Sequence, residues 1–122
     1  MNCEFDNNTP IYLQLAQQIE TDIISGKIES GARLPSVREL AIIFKVNPNT
    51  VQKALSELEN TKLIFTERTN GKFVTTEKEL IENKRSEYAE RLNKKFIDDM
   101  KSIGINTADA ISILKEWSDR NE

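Results

Sequence analysis

A chain of 122 residues, 38% hydrophobic and 30% charged, holds enough material for one compact domain and an appendage, not for two full domains. Its 17 basic and 20 acidic residues leave a net charge of −3, so a surface for polyanions must come from local clustering and not from the total. The absence of histidine and the single cysteine, Cys3, exclude a zinc cluster and an internal disulfide; no apolar run is long enough to span a bilayer, Met1-Asn2-Cys3-Glu4 has neither a basic start nor an apolar signal core, and the expected location is the cytoplasm.

Residues 1–9 are polar and aperiodic and are expected to form a flexible arm. Pro10 then opens a helix whose apolar residues Ile11, Leu15, Ile19 and Ile23 recur at four-residue spacing, flanked by Tyr12 and Ala16, until Gly26 ends it. That stripe reads as core. Residues 27–35 form a connector with a turn at Ser30-Gly31, and Arg33-Leu34 is a candidate short strand stopped by Pro35.

Two short helical patterns follow in residues 36–60. Val37, Leu40, Ala41 and Phe44 share one face of the first, with Ser36 and Glu39 at capping-box spacing. Val51, Ala54, Leu55 and Leu58 share one face of the second, with Asn47 as N-cap and Pro48 at the first helical position. Only Lys45-Val46 separates them, which is the spacing of a helix-turn-helix, whose second helix enters the DNA major groove by its N-terminal residues. The outer face of that helix carries Asn47, Asn49, Thr50, Gln52 and Lys53, types that hydrogen-bond base edges. Taken alone, the same pattern also fits an ordinary capped surface helix. From Lys27 to Lys53 the basic residues Lys27, Arg33, Arg38, Lys45 and Lys53 face only Glu29 and Glu39, a local +3 within a chain of net −3.

Residues 63–67 and 72–76 are strand-like runs around Arg68-Thr69-Asn70-Gly71, and an Asn-Gly pair between such runs signals a hairpin. Helices followed by a hairpin with Arg68 and Lys72 near its tip give the winged-helix order, with Gly71 allowing close backbone approach to DNA. Residues 77–103 contain no Pro or Gly, and Tyr88, Leu92, Phe96 and Met100 recur at helical spacing among dense charges. After Gly104, Asn106 and Asp109 open a last helix with Ile111, Leu114 and Trp117 on one stripe. A two-helix tail this thin leaves apolar surface exposed, and a homodimer through Tyr88, Leu92, Phe96, Met100, Ile111, Leu114 and Trp117 would cover it. The carboxylates Asp98-Asp99 and Glu57/Glu59 lie on helices dense in Lys and Arg and read as solvated faces, so no catalytic or metal-binding constellation is expected, and no cofactor.

The run GARLPSVRELAIIFKVNPNTVQKALSELENTKLIFTERTNGKFV resembles the GntR family of bacterial transcriptional regulators, on Leu34-Pro35-Ser36, Arg38-Glu39-Leu40-Ala41, Val46-Asn47 and Thr50-Val51 in the family's order and spacing. With the short helical tail, it looks like the YtrA-type branch. The resemblance implies DNA contacts at Arg38, at Asn47, Asn49 and Thr50, at Gln52 and Lys53, and at Gly71 on the wing tip. Pro48 and Gln52 stand where many members have arginine, and Thr69 where the wing usually has a glycine, so base preferences do not carry over.

The expected fold is therefore mainly α with a small β-hairpin wing: a winged helix-turn-helix over residues 10–76, then a two-helix dimerisation tail over residues 77–122. The expected function is a sequence-specific DNA-binding regulator, a homodimeric repressor on a palindromic double-stranded operator. Asn47, Asn49, Thr50, Gln52 and Lys53 would read bases, while Arg33, Arg38, Lys45, Arg68 and Lys72 hold phosphates. A winged helix serving as a protein-interaction module is the alternative. A small-molecule effector is left open, because the tail alone is too short to enclose a sizeable pocket.

Overall fold

The computed structural model describes residues 3–122, and they divide into two compact units, the first running through Arg85 and the second covering Ser86–Glu122. The first unit therefore extends past residue 76 into the next helix, and the arm's first two residues lie outside the described ones.

The first unit begins with α1 (Ile11–Ile24), set by Pro10 and closed by Gly26 at φ +85°. α2 (Val37–Phe44) starts with the expected reciprocal cap: Ser36 Oγ accepts from the Glu39 N–H at 3.1 Å, and Glu39 Oε1 accepts from the Ser36 N–H at 3.1 Å. Hydrogen bonding from the Ser36 backbone N–H foremost, and from its side chain, holds the Glu39 carboxyl below the usual glutamate range. Lys45, left-handed at φ +57°, ends α2, and the Val46 N–H reaches back to the Ala41 carbonyl at 3.1 Å. The chain turns at once into α3 (Pro48–Asn60), with Asn47 as its cap. α3 packs on both α1 and α2, which makes it the centre of the unit.

Leu15, Ile19 and Ile23 of α1, Leu40 of α2 and Val51, Leu55 and Leu58 of α3 are buried together with Leu63, Ile64 and Val74. Each such side chain contributes about 1.5–3 kcal/mol by leaving water. The hairpin consists of β1 (Ile64–Glu67) and β2 (Gly71–Val74), antiparallel, with Ile64 opposite Val74 and Glu67 opposite Gly71. Its tip is a three-residue loop, Arg68 to Asn70, with the Asn70 N–H donating to the Glu67 carbonyl at 3.2 Å. Gly71 is thus the first residue of β2, one residue before the start of the strand-like run 72–76. The connector before α2 adds a third edge to the hairpin: Leu34 N–H donates to the Lys72 carbonyl at 2.8 Å, and Val74 N–H to the Ala32 carbonyl at 2.9 Å. This edge is an isolated bridge, Arg33 to Phe73, as Pro35 removes the next donor.

The arm expected to be flexible is tied down from Asp6 to Thr9. The Gln14 side-chain amide accepts from the Asp6 N–H at 3.0 Å and donates to the Asp6 and Thr9 carbonyls at 2.9 and 2.8 Å. α4 (Lys78–Ser102) begins in this unit with Ile81 buried. Its Arg85 guanidinium donates from Nε and Nη2 to the Ile24 carbonyl at 2.9 and 2.6 Å, so a cation caps the C-terminal end of α1.

The second unit contains the rest of α4 and α5 (Thr107–Asn121). Gly104 at φ +87° turns the chain, and the Asn106 side chain caps α5 by accepting from the Asp109 N–H at 2.8 Å. Ala110 is buried, but beyond the turn α4 and α5 scarcely touch. Leu92, Phe96, Ile111, Leu114 and Trp117 are all exposed, and Tyr88 and Met100 are half-buried.

Candidate nucleic-acid interface

The polar face of α3 is built from the way its start is fixed. Pro48 sets the first helical φ at no cost in hydrogen bonds, and Asn47 Oδ1 accepts from the Asn49 N–H at 2.7 Å. The Asn47 carbonyl oxygen is therefore engaged in the helix, which leaves its amide NH2 as the group free to meet a base. Val51, Ala54, Leu55 and Leu58 face the core, so Asn49, Gln52 and Lys53 point to solvent and are exposed, with Thr50 half-buried beside them. Asn and Gln side chains match adenine edges bidentately, and Thr suits a thymine methyl.

The basic residues around α3 fall into two groups. Arg38 on the first turn of α2 and Lys45 at its left-handed end are both exposed, and Lys45 stands two residues before the N-cap of α3. Arg33 and Arg68 belong to the hairpin side. Arg33 stands on the third edge, and its guanidinium lies over the Gly71 backbone: a methyl group at Gly71 would meet Arg33 Nε at 3.2 Å. Gly71, at φ +99°, suits both the bend and that approach. Arg68 is exposed in the tip loop.

Lys72 is placed differently from the expectation that it would hold a phosphate. Its ammonium is ion-paired with Glu59 at the end of α3 and donates to Thr66 Oγ1 at 2.8 Å, while the Thr66 hydroxyl donates to Glu59 Oε1 at 2.8 Å. The hydrogen bond from Lys72 holds the Glu59 carboxyl below its ordinary range, against partial desolvation that pushes it up. Glu59, read from the sequence as part of a solvated face, is half-buried and paired, and is thus a residue that the sequence did not assign to the site. Tyr12 is another: its ring lies under the Lys53 ammonium, 5.8 Å from Nζ to the ring centroid, beside an open groove lined by Gln52, Lys53, Ser56 and Glu57. Among the described residues there is no group of three metal-ligating side chains.

The arrangement has one helix with exposed hydrogen-bonding side chains, exposed cations on α2 and at its end, and two arginines, Arg68 on the hairpin and Arg33 on the edge bridged to it. That combination can read base edges while holding phosphates. Among the described residues no helix is long and apolar enough to cross a membrane.

Comparison with known proteins agrees with that geometry. The model of the family described as "Bacterial regulatory proteins, gntR family" matches residues 11–74. The chain is 46% identical over 69 residues to the HTH-type transcriptional repressor YtrA of Bacillus subtilis, spanning 57% of this chain and 53% of that one, so it covers about half the length of this relative. A solved GntR family transcriptional regulator from Listeria monocytogenes superposes with a TM-score of 0.84 at 43% identity, over 92% of this chain and 98% of that one. The structure of AraR(DBD) in complex with an operator superposes with a TM-score of 0.56 at 28% identity, over 62% of this chain and 95% of that one.

Proposed function

The chain belongs to the gntR family of bacterial regulatory proteins and is a DNA-binding transcriptional regulator, and from that premise we propose that it acts in the cytoplasm as a homodimeric repressor on a palindromic operator. The observation that carries the reading is the exposed face of α3, on which Asn49, Gln52 and Lys53 follow a capped N-terminus. The name of YtrA as a repressor supports the direction of control. The exposed stripe of Ile111, Leu114 and Trp117 supports the dimer, since a two-fold interface buries such a stripe against its own copy. In this reading residues 10–76 bind DNA and residues 77–122 dimerise. The α3 residues select sequence; Arg33, Arg38, Lys45 and Arg68 hold phosphates.

A gel shift with the DNA upstream of the protein's own gene, over a salt series and with scrambled competitor, tests it. The expected result is a discrete shift that survives the competitor and weakens steeply with salt. A shift no stronger than that on scrambled DNA would sink the proposal of operator recognition.

A further inference from the structure

Lys53 lies in the second turn of α3, and its ammonium is drawn to the side of the helix that faces α1, over the Tyr12 ring. Tyr12 is half-buried in the first turn of α1, which the buried Leu15 and Ile19 anchor to the core, so the ring is a fixed platform. Glu57, one turn further along α3, lines the same groove. Even so, Lys53 forms no ion pair among the described residues. The difference matters for a polyanion. A pair with Glu57 would neutralise the cation, whereas an aromatic face attracts the ammonium without carrying net charge. Lysine is a compact point charge on a flexible stem, a form suited to a phosphate and costly to order when nothing holds it.

We propose that Tyr12 is a positioning residue of the DNA-binding surface: its ring holds the Lys53 ammonium over the groove between α1 and α3, where it grips a backbone phosphate instead of a base edge. The proposal rests on α3 being the reading helix. It moves Lys53 from the residues that select sequence to those that set affinity.

The test uses the full chain and its operator. Affinity is measured by fluorescence anisotropy over a salt series, on the operator and on its single-base variants, for Lys53→Ala, Tyr12→Leu, Tyr12→Phe and the Tyr12→Leu/Lys53→Ala double variant. Lys53→Ala weakens binding by the same factor on every sequence and lowers the salt slope by about 0.9. Tyr12→Leu weakens binding about two- to fivefold, has no further effect once Lys53 is alanine, and is rescued by Tyr12→Phe, which keeps the ring. Thermal melts show whether each variant is folded. Independently of any variant's folding, the Lys53 ε-protons of the wild-type chain show an upfield ring-current shift in the NMR spectrum.

Additive losses in the double variant, relaxed preference at a single base pair in Lys53→Ala, or the absence of the ring-current shift would each overturn the proposal. No effect of Lys53→Ala would overturn it as well, while leaving α3 as reader. That broader reading fails only where Asn49→Ala and Gln52→Ala also leave operator binding unchanged.

Discussion

At Lys72, charge and location point in different directions. The residue sits on the hairpin with a cation's affinity for phosphate, yet its ammonium is held by Glu59 and Thr66, tying β2 to the last turn of α3. We expect Lys72→Met and Glu59→Gln to lower stability by a similar amount, no more than about 1 kcal/mol for a partly exposed pair, with little added by combining them. Chemical denaturation of the four proteins measures that cycle. The carboxyl of Glu59 is held below its usual range by the Lys72 hydrogen bond foremost, so it is more acidic folded than unfolded. Its contribution is present at neutral pH, above the unfolded value, and is lost as pH falls through the folded one. The stability advantage of wild type over Glu59→Gln should therefore shrink in acid, and a constant advantage from neutral to acid pH would contradict the latch. The polar face of α3 could be read from the sequence because a helix repeats locally. The Lys72–Glu59 pair and the seat of Arg33 over Gly71 could not, because both depend on how a strand registers against elements distant in the chain.

The Asn-Gly pair signals a hairpin but leaves its register open. A two-residue turn centred on Asn70-Gly71 would pair Thr69 with Lys72 and thereby set Val74 opposite Glu67. The observed pairing sets Val74 opposite Ile64, and both are buried. Burial on one face outweighs the turn preference, since register decides which side chains reach the core. The third edge at Arg33 reinforces the choice. Gly71→Ala places a Cβ at φ +99° and pushes on the Arg33 guanidinium, which is flexible and can yield, so the cost is mainly backbone strain of about 1–2 kcal/mol. Thermal unfolding should show that loss, together with weaker operator binding. Full stability in the alanine variant would mean that the left-handed conformation is not required. Three helix starts, by contrast, were signposted: Ser36 with Glu39, Asn47 with Pro48, and Asn106 are local capping signals, and each forms a cap.

For the molecule as a whole, the tail was legible as two helices with exposed apolar stripes, though not in how little α4 and α5 pack on each other. α5 leaves Ile111, Leu114 and Trp117 uncovered instead of closing them against α4. On the proposed dimer, Trp117→Asp should convert the chain to a monomer by sedimentation and cost about a hundredfold or more in operator affinity, as two linked reading heads become one. A Trp117→Asp protein that remains dimeric would move the interface elsewhere. The same uncovered stripe has a consequence for gene dosage. A protomer that pairs through it exists as a single copy when scarce and as a pair when abundant, by mass action. Below the dissociation constant of the pair, operator occupancy then rises with the square of the amount of protein made. Halving the supply would lower occupancy about fourfold, so the number of chains per cell would itself act as a control input.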